Sequence, residues 1–261
     1  MLKTRIITAL ISLVLIGMVL FVVPRQYTEL IIGVLLVAGA WEWSGFLGTS
    51  GAGMRLVYTA IVAVALGLIY FVVPEKTTLV LQIGCVWWCL AFFWNLRFPT
   101  PIPAALRWIS GLLVIVPLYA ALVSLLRLGV EYLIFTLLIV WAADAGAYFA
   151  GKKFGRVKLA PAISPGKTWE GVVGGLLLVA VLATGVAVWR DVSPAVLLPF
   201  CLAVAAISIV GDLTVSMFKR TAGVKDSGAL FPGHGGVLDR VDSVAAAAPL
   251  FVLGVGWLGL A

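Results

Sequence analysis

Charge is scarce in this sequence. Asp, Glu, Lys and Arg make up 11% of its 261 residues, against 63% hydrophobic. A water-soluble domain carries about 25% charged residues. A single aqueous core cannot bury so much apolar surface, so a soluble globular fold is excluded and the bilayer becomes the natural solvent. Histidine is scarcer still: His234 stands alone, which excludes a His-rich zinc site. The three cysteines, Cys85, Cys89 and Cys201, lie in apolar runs with no CxxC spacing. They read as small buried hydrophobes, not as disulfides or metal ligands. With so few acids, each one inside an apolar run draws attention.

What is present is a series of apolar runs of about 17 to 25 residues. They predict an all-α polytopic membrane protein with nine helices over 6–23, 28–47, 56–73, 78–96, 109–127, 131–150, 169–189, 194–218 and 237–260. Pro24, Pro74, Pro99, Pro101 and Pro194 fall at or near the breaks, where proline is best tolerated. Lys3 and Arg5 precede the first run, which is long enough to span and lacks a small-residue cleavage site, so it reads as a retained helix. Placing the N-terminus in the cytoplasm puts 14 of the 18 basic residues inside and four (Arg25, Lys76, Arg127 and Arg190) outside. The positive-inside rule therefore expects N-terminus in, C-terminus out and an odd helix count. Phe21-Val22-Val23-Pro24 recurs as Phe71-Val72-Val73-Pro74, read as reuse of a good interfacial ending. The chain divides into a scaffold or dimer region, 1–127, and catalytic helices and loops, 131–261, within one membrane domain.

The polar residues gather on the predicted cytoplasmic side. Asp212, Ser216, Lys219 and Arg220 are spaced i, i+4, i+7 and i+8, one helical face running from the bilayer to its edge. A glycine-rich loop follows, with Lys225, Asp226, His234, Gly235 and Gly236. Glycines let the backbone approach a ligand and turn N–H groups toward phosphate oxygens. The last helix opens with Asp239, Arg240 and Asp242. Mg²⁺ is usually held by one or two carboxylates plus substrate phosphates, and Asp212 and Asp239, on neighbouring antiparallel helices, are placed to converge. Lys219, Arg220, Lys225 and Arg240 supply charge for a polyphosphate. His234 reads as a phosphate donor, a proton-transfer group or a loop-structuring donor.

A second cluster holds Asp144 and Tyr148, then Ser164-Pro165-Gly166-Lys167-Thr168. Gly166-Lys167-Thr168 is not a P-loop, because Pro161 stands where the upstream glycine belongs. Ser164 and Thr168 are instead expected to cap helix seven, whose N-terminus favours anions. Asp144 is a further candidate metal ligand or interhelical polar contact. In the first half only Glu42, in Trp41-Glu42-Trp43, stands out, either as a functional intramembrane acid or as an interfacial carboxylate between two anchoring tryptophans.

The run Ser216-Met217-Phe218-Lys219-Arg220, then Lys225-Asp226-Ser227-Gly228, then Leu230-Phe231-Pro232-Gly233-His234-Gly235-Gly236-Val237-Leu238-Asp239-Arg240-Val241-Asp242 resembles the signature of the phosphatidate cytidylyltransferases. Gly211-Asp212, Asp144, Tyr148 and the Ser164–Thr168 segment also resemble that family. Gly166 departs from it, at a position that is often lysine there. The resemblance implies transfer of CMP from CTP to phosphatidate with Mg²⁺, releasing pyrophosphate, in a bacterial-type inner membrane with the site facing the cytoplasm. It implies Asp212 and Asp239 as metal-holding acids and Lys219 as a phosphate-contacting cation; Asp144, Asp226, Asp242 and His234 are expected behind them as a further metal ligand, a base or an orienter. It also implies a homodimer and no nucleic-acid partner. A CTP-dependent lipid kinase of the polyprenol or phytol type would need the same parts but release CDP, and a transporter would consume no CTP.

Overall fold

The computed structural model describes residues 11, 14–48, 51–72, 74–230 and 235–260. Lys3, Arg5 and His234 lie outside the described residues. After the described part of a first helix, α1 (residues 14–21), come α2 (Arg25–Ser44), α3 (Ala52–Gly67, continued by a π-helical turn, Leu68–Val72) and α4 (Thr77–Arg97). The second half holds α5 (Ala104–Leu128), α6 (Val130–Phe154), α7 (Trp169–Arg190), α8 (Pro194–Thr221) and α9 (Leu238–Trp257). Among the described residues six helices, α3 to α8, are long and apolar enough to cross a membrane. The protein is therefore a helical, multi-pass membrane protein. α2 and α9 have 20 residues each, but they contain Glu29 and Glu42, and Asp239, Arg240 and Asp242.

One element departs from the all-α expectation. The loop after α6 folds into a short antiparallel hairpin, β1 (Lys158–Ala160) with β2 (Ser164–Thr168). Ser164 thus opens a strand five residues before the start of α7 and does not cap it. Thr168 does: its Oγ1 accepts the Gly171 N–H at 3.2 Å. Both residues lie in β2, but Thr168 directly precedes α7, within reach of its third amide, whereas Ser164 stands at the far end of the strand.

The exterior of the bundle is apolar. Val34, Phe71, Val181, Val188 and Trp189 are each about 70% exposed or more, as expected where lipid is the solvent. Lipid tails are as apolar as leucine, so close packing holds such helices together. α6 and α7 meet along a glycine seam. A Cβ on Gly146 would stand 2.5 Å from the Gly174 carbonyl oxygen, and one on Gly175 2.6 Å from that of Ala143. Gly211 of α8 faces the Asp242 carbonyl and Ala246 of α9 in the same way. Buried tryptophans fasten the first-half helices to the others. Trp88 Nε1 on α4 donates to the Ala245 carbonyl of α9 at 3.1 Å. Trp43 Nε1 on α2 donates to the Arg107 carbonyl of α5 at 2.9 Å, and its ring packs 4.9 Å from that of Phe218 on α8. These contacts fix the end of α8 and the start of α9, where the polar residues collect.

Candidate active site

The i, i+4 spacing on α8 is realised as a hydrogen bond: Ser216 Oγ donates to Asp212 Oδ1 at 3.2 Å. The other oxygen, Asp212 Oδ2, pairs with Lys167 Nζ at 2.6 Å. Lys167 comes from β2, so the hairpin lies over the polar face of α8. Two further bonds hold it there. Arg220 Nε donates to the Ile163 carbonyl at 3.1 Å, and the Glu170 carboxylate accepts the Val157 N–H at 3.1 Å. Lys167 and Asp212 are each about a quarter exposed, a pair open enough to exchange partners with a ligand.

The second pair is more enclosed. Lys219 Nζ lies 2.8 Å from Asp239 Oδ1, and both side chains are at most 10% exposed. Asp239 Oδ2 accepts three more donors: the Ser227 N–H at 2.8 Å, the Ser227 hydroxyl at 2.9 Å and the Gly236 N–H at 2.9 Å. Four donor groups thus surround this carboxylate, one of them a hydroxyl that also faces Glu42. Gly235, beside it, has φ +81°, a conformation that favours glycine. A Cβ there would also meet the Asp239 carboxylate at 2.5 Å.

Glu42 arrives from α2. Its carboxylate accepts the N–H groups of Val237 at 2.9 Å and Leu238 at 3.0 Å, and the Ser227 hydroxyl lies 2.9 Å from Oε2. The first amides of α9 therefore find their acceptor on another helix, since Val237 at the N-cap has no side-chain acceptor. Glu42 and Ser227 are the residues that sequence reasoning undervalued. The Trp-Glu-Trp context marked Glu42 without deciding its role, and nothing local marked Ser227.

Asp144 and Asp242 lie within electrostatic reach of Asp212. Lys167 is near both, and Lys219 is near Asp212 and Asp242. Of the other expected residues, Lys225, Asp226 and Arg240 are exposed, and among the described residues none of them joins this network by a hydrogen bond or ion pair. Tyr148 is 60% exposed, with Lys152 Nζ 5.7 Å from its ring. Asp242 accepts its neighbour's N–H, from Ser243, at 2.8 Å.

Oxygen donors of this kind suit a hard divalent cation. Among the described residues no three acidic, histidine or cysteine side chains stand close enough to hold an ion alone. Mg²⁺ does not require that when substrate phosphates complete its shell. Asp144, Asp212 and Asp242 bring three carboxyl groups together; among the described residues Lys219 is already paired with Asp239, and Lys167 is the cation paired with Asp212. A partly buried excess of acid favours a cation. Asp212 fits best, since beyond Lys167 it accepts only one hydroxyl. A cation at Asp239 has to displace one of four donors.

Paired carboxylates, lysines and a glycine loop gather at one end of the helical bundle, a set of groups chemically suited to phosphorylated ligands. Residues 3–257 match the model of the Cytidylyltransferase family, and the chain belongs to that family; it is a nucleotidyltransferase. It is similar to the phosphatidate cytidylyltransferase of Pseudomonas aeruginosa, with 43% identity covering 98% of this chain and 99% of that one. It is similar to the phosphatidate cytidylyltransferase of Haemophilus influenzae, with 37% identity over 96% and 97%. That of Brucella suis is 45% identical over half of each chain.

Proposed function

We propose that this protein transfers the CMP group of CTP to phosphatidate, giving CDP-diacylglycerol and pyrophosphate. The observation that carries this reading is the lysine-clamped acidic cluster joining β2, α8 and α9. The phosphatidate cytidylyltransferases that the chain resembles over nearly its whole length support the choice of CTP and phosphatidate. A phosphate oxygen of phosphatidate attacks the α-phosphorus of CTP, and the bond to the β-phosphate oxygen breaks, releasing pyrophosphate. The attacking phosphate monoester is already largely ionised at neutral pH, so no strong general base is needed. Catalysis then rests on positioning and charge stabilisation.

In this reading Lys167 exchanges Asp212 for a substrate phosphate, and Lys219, oriented by Asp239, faces the transferred phosphoryl group. Arg220, Lys225 and Arg240 neutralise the outer phosphates. Asp212, with Asp144 and Asp242 beside it, would hold Mg²⁺, which when bound supplies positive charge against the polyphosphate. Asp239 serves the reaction through Lys219. Nine spans, with the N-terminus and the site on the cytoplasmic face of an inner membrane, are supported by the distribution of Lys and Arg. A homodimer built on the first-half helices completes the proposal.

The test is product identity. Purified protein is incubated with CTP, Mg²⁺ and phosphatidate, and the lipid and nucleotide products are identified by mass spectrometry. CDP-diacylglycerol with equimolar pyrophosphate is expected. CDP as the nucleotide product would show a kinase, and unchanged CTP would defeat the proposal.

A further inference from the structure

The two acids that hold the glycine loop share one hydroxyl. Ser227 Oγ lies 2.9 Å from Glu42 Oε2 and 2.9 Å from Asp239 Oδ2. A serine hydroxyl carries one proton, so it donates to one carboxylate at a time. The remaining bonds are divided between the two acids: Glu42 takes the amides of Val237 and Leu238, and Asp239 takes those of Ser227 and Gly236 together with Lys219. Glu42 is 8% exposed, and among the described residues it makes no ion pair. The donors that meet it among the described residues belong to the loop and the helix end. Gly228 and Gly236 pack against its carboxylate so closely that a Cβ on Gly228 would stand 2.5 Å from Oε1. A buried carboxylate without a cation is costly unless such donors are fixed in place. Conversely, a carboxylate that gathers a serine and two helix-end amides fixes the loop that carries them.

We propose that Glu42, supplied by the first half of the chain, is a positioning residue for nucleotidyl transfer: it sets Ser227 and the start of α9 so that Asp239 aims Lys219 at the phosphates. α2 is thus part of the catalytic machinery. The inference rests on the functional reading above for its turnover assay, and on the hydrogen-bond geometry for its exchange assay.

The experiment is a double-mutant cycle on the purified full-length protein with Glu42→Gln and Ser227→Ala. Gln keeps the volume but turns one acceptor oxygen into a donor facing other donors. Turnover of Glu42→Gln is expected to fall about 30-fold with the KM for phosphatidate moving less than about threefold, the split expected for groups that act on the transition state. Because both residues act through Asp239, the double variant should lie within about threefold of Glu42→Gln alone. Amide exchange at Val237 and Leu238 should be about tenfold faster in Glu42→Gln. Multiplicative losses, or Glu42→Gln turning over within threefold of the parent, would overturn the proposal. If Glu42→Gln does not fold, Glu42→Asp takes its place in the same cycle with the same two outcomes. Should the parent make no CDP-diacylglycerol, the functional reading fails, and unchanged amide exchange in the variant independently defeats the role of Glu42.

Discussion

Glu29 and Glu42 stand near opposite ends of α2, about 20 Å apart along its axis at 1.5 Å per residue, and they are held in opposite ways. Glu29 meets a guanidinium: Arg127 Nε lies 3.1 Å from Oε1, and its terminal nitrogen 3.3 Å from Oε2. Arg25 sits at 3.9 Å. The Arg127 guanidinium also lies 5.4 Å from the Tyr70 ring. That end is electrically complete, and its effect is to lock α2 to α5. Among the described residues Glu42 has no cation. It holds backbone amides and a hydroxyl of the loop beside Asp239, at an end where, among the described residues, Asp144, Asp212 and Asp242 gather around Lys167. A matched pair stabilises and leaves nothing over for a ligand. An unmatched set, costly in itself, retains the capacity to bind cations and phosphates.

The largest effect expected to sharpen this contrast is at Asp212. Asp212→Asn keeps the shape and the Ser216 contact but removes the charge, and turnover should fall about 1,000-fold, on the order of 4 kcal/mol of transition-state stabilisation. The melting temperature in detergent should stay within a few degrees of the parent. Next is Lys219→Met, expected to lower turnover about 100-fold, the scale of removing one preorganised electrostatic contact. It should also destabilise the protein, because Asp239 is left buried without its cation. Asp239→Asn separates two roles for this acid. If it acts by orienting Lys219 and the loop, turnover falls about 30-fold together with stability. A loss as deep as that of Asp212→Asn with unchanged stability would instead make it a metal ligand.

At the other end the order reverses. Arg127→Gln leaves buried Glu29 with only the more distant Arg25, yet Arg127 is nearly half exposed, so the stability cost should be about 2 kcal/mol. Turnover of the folded fraction, measured by pyrophosphate release, should change less than about threefold. Smallest of all, Lys225→Gln, on an exposed side chain outside the network, should raise the KM for CTP about threefold, with the effect shrinking as salt is added.

Much of this was legible in the sequence because bilayer physics is simple. Helix α7 was expected over 169–189 and runs from Trp169 to Arg190; α8 was expected to begin at 194 and does so. Apolar length and proline breaks set those limits. The Asp212–Ser216 contact follows from helical spacing alone. The hairpin was not legible, since Lys158–Ala160 and Ser164–Thr168 are too short and polar to show an alternating pattern. The partners of the lysines were hidden too. Lys167 and Asp212 are 45 positions apart, and Glu42 and Leu238 are separated by 196. No local rule reads contacts across that distance. The Trp-Glu-Trp motif marked the right residue, but choosing between an interfacial and a functional carboxylate required knowing which loop lands on it.

The most direct measurement is CTP-dependent pyrophosphate release by purified parent, Asp212→Asn and Glu29→Gln, each shown to be folded in the same detergent with phosphatidate present. The account predicts release by the parent and by Glu29→Gln at rates within about threefold of each other, and release from Asp212→Asn lower by about 1,000-fold. Near-parental release from Asp212→Asn, or equal loss in folded Glu29→Gln, would contradict it.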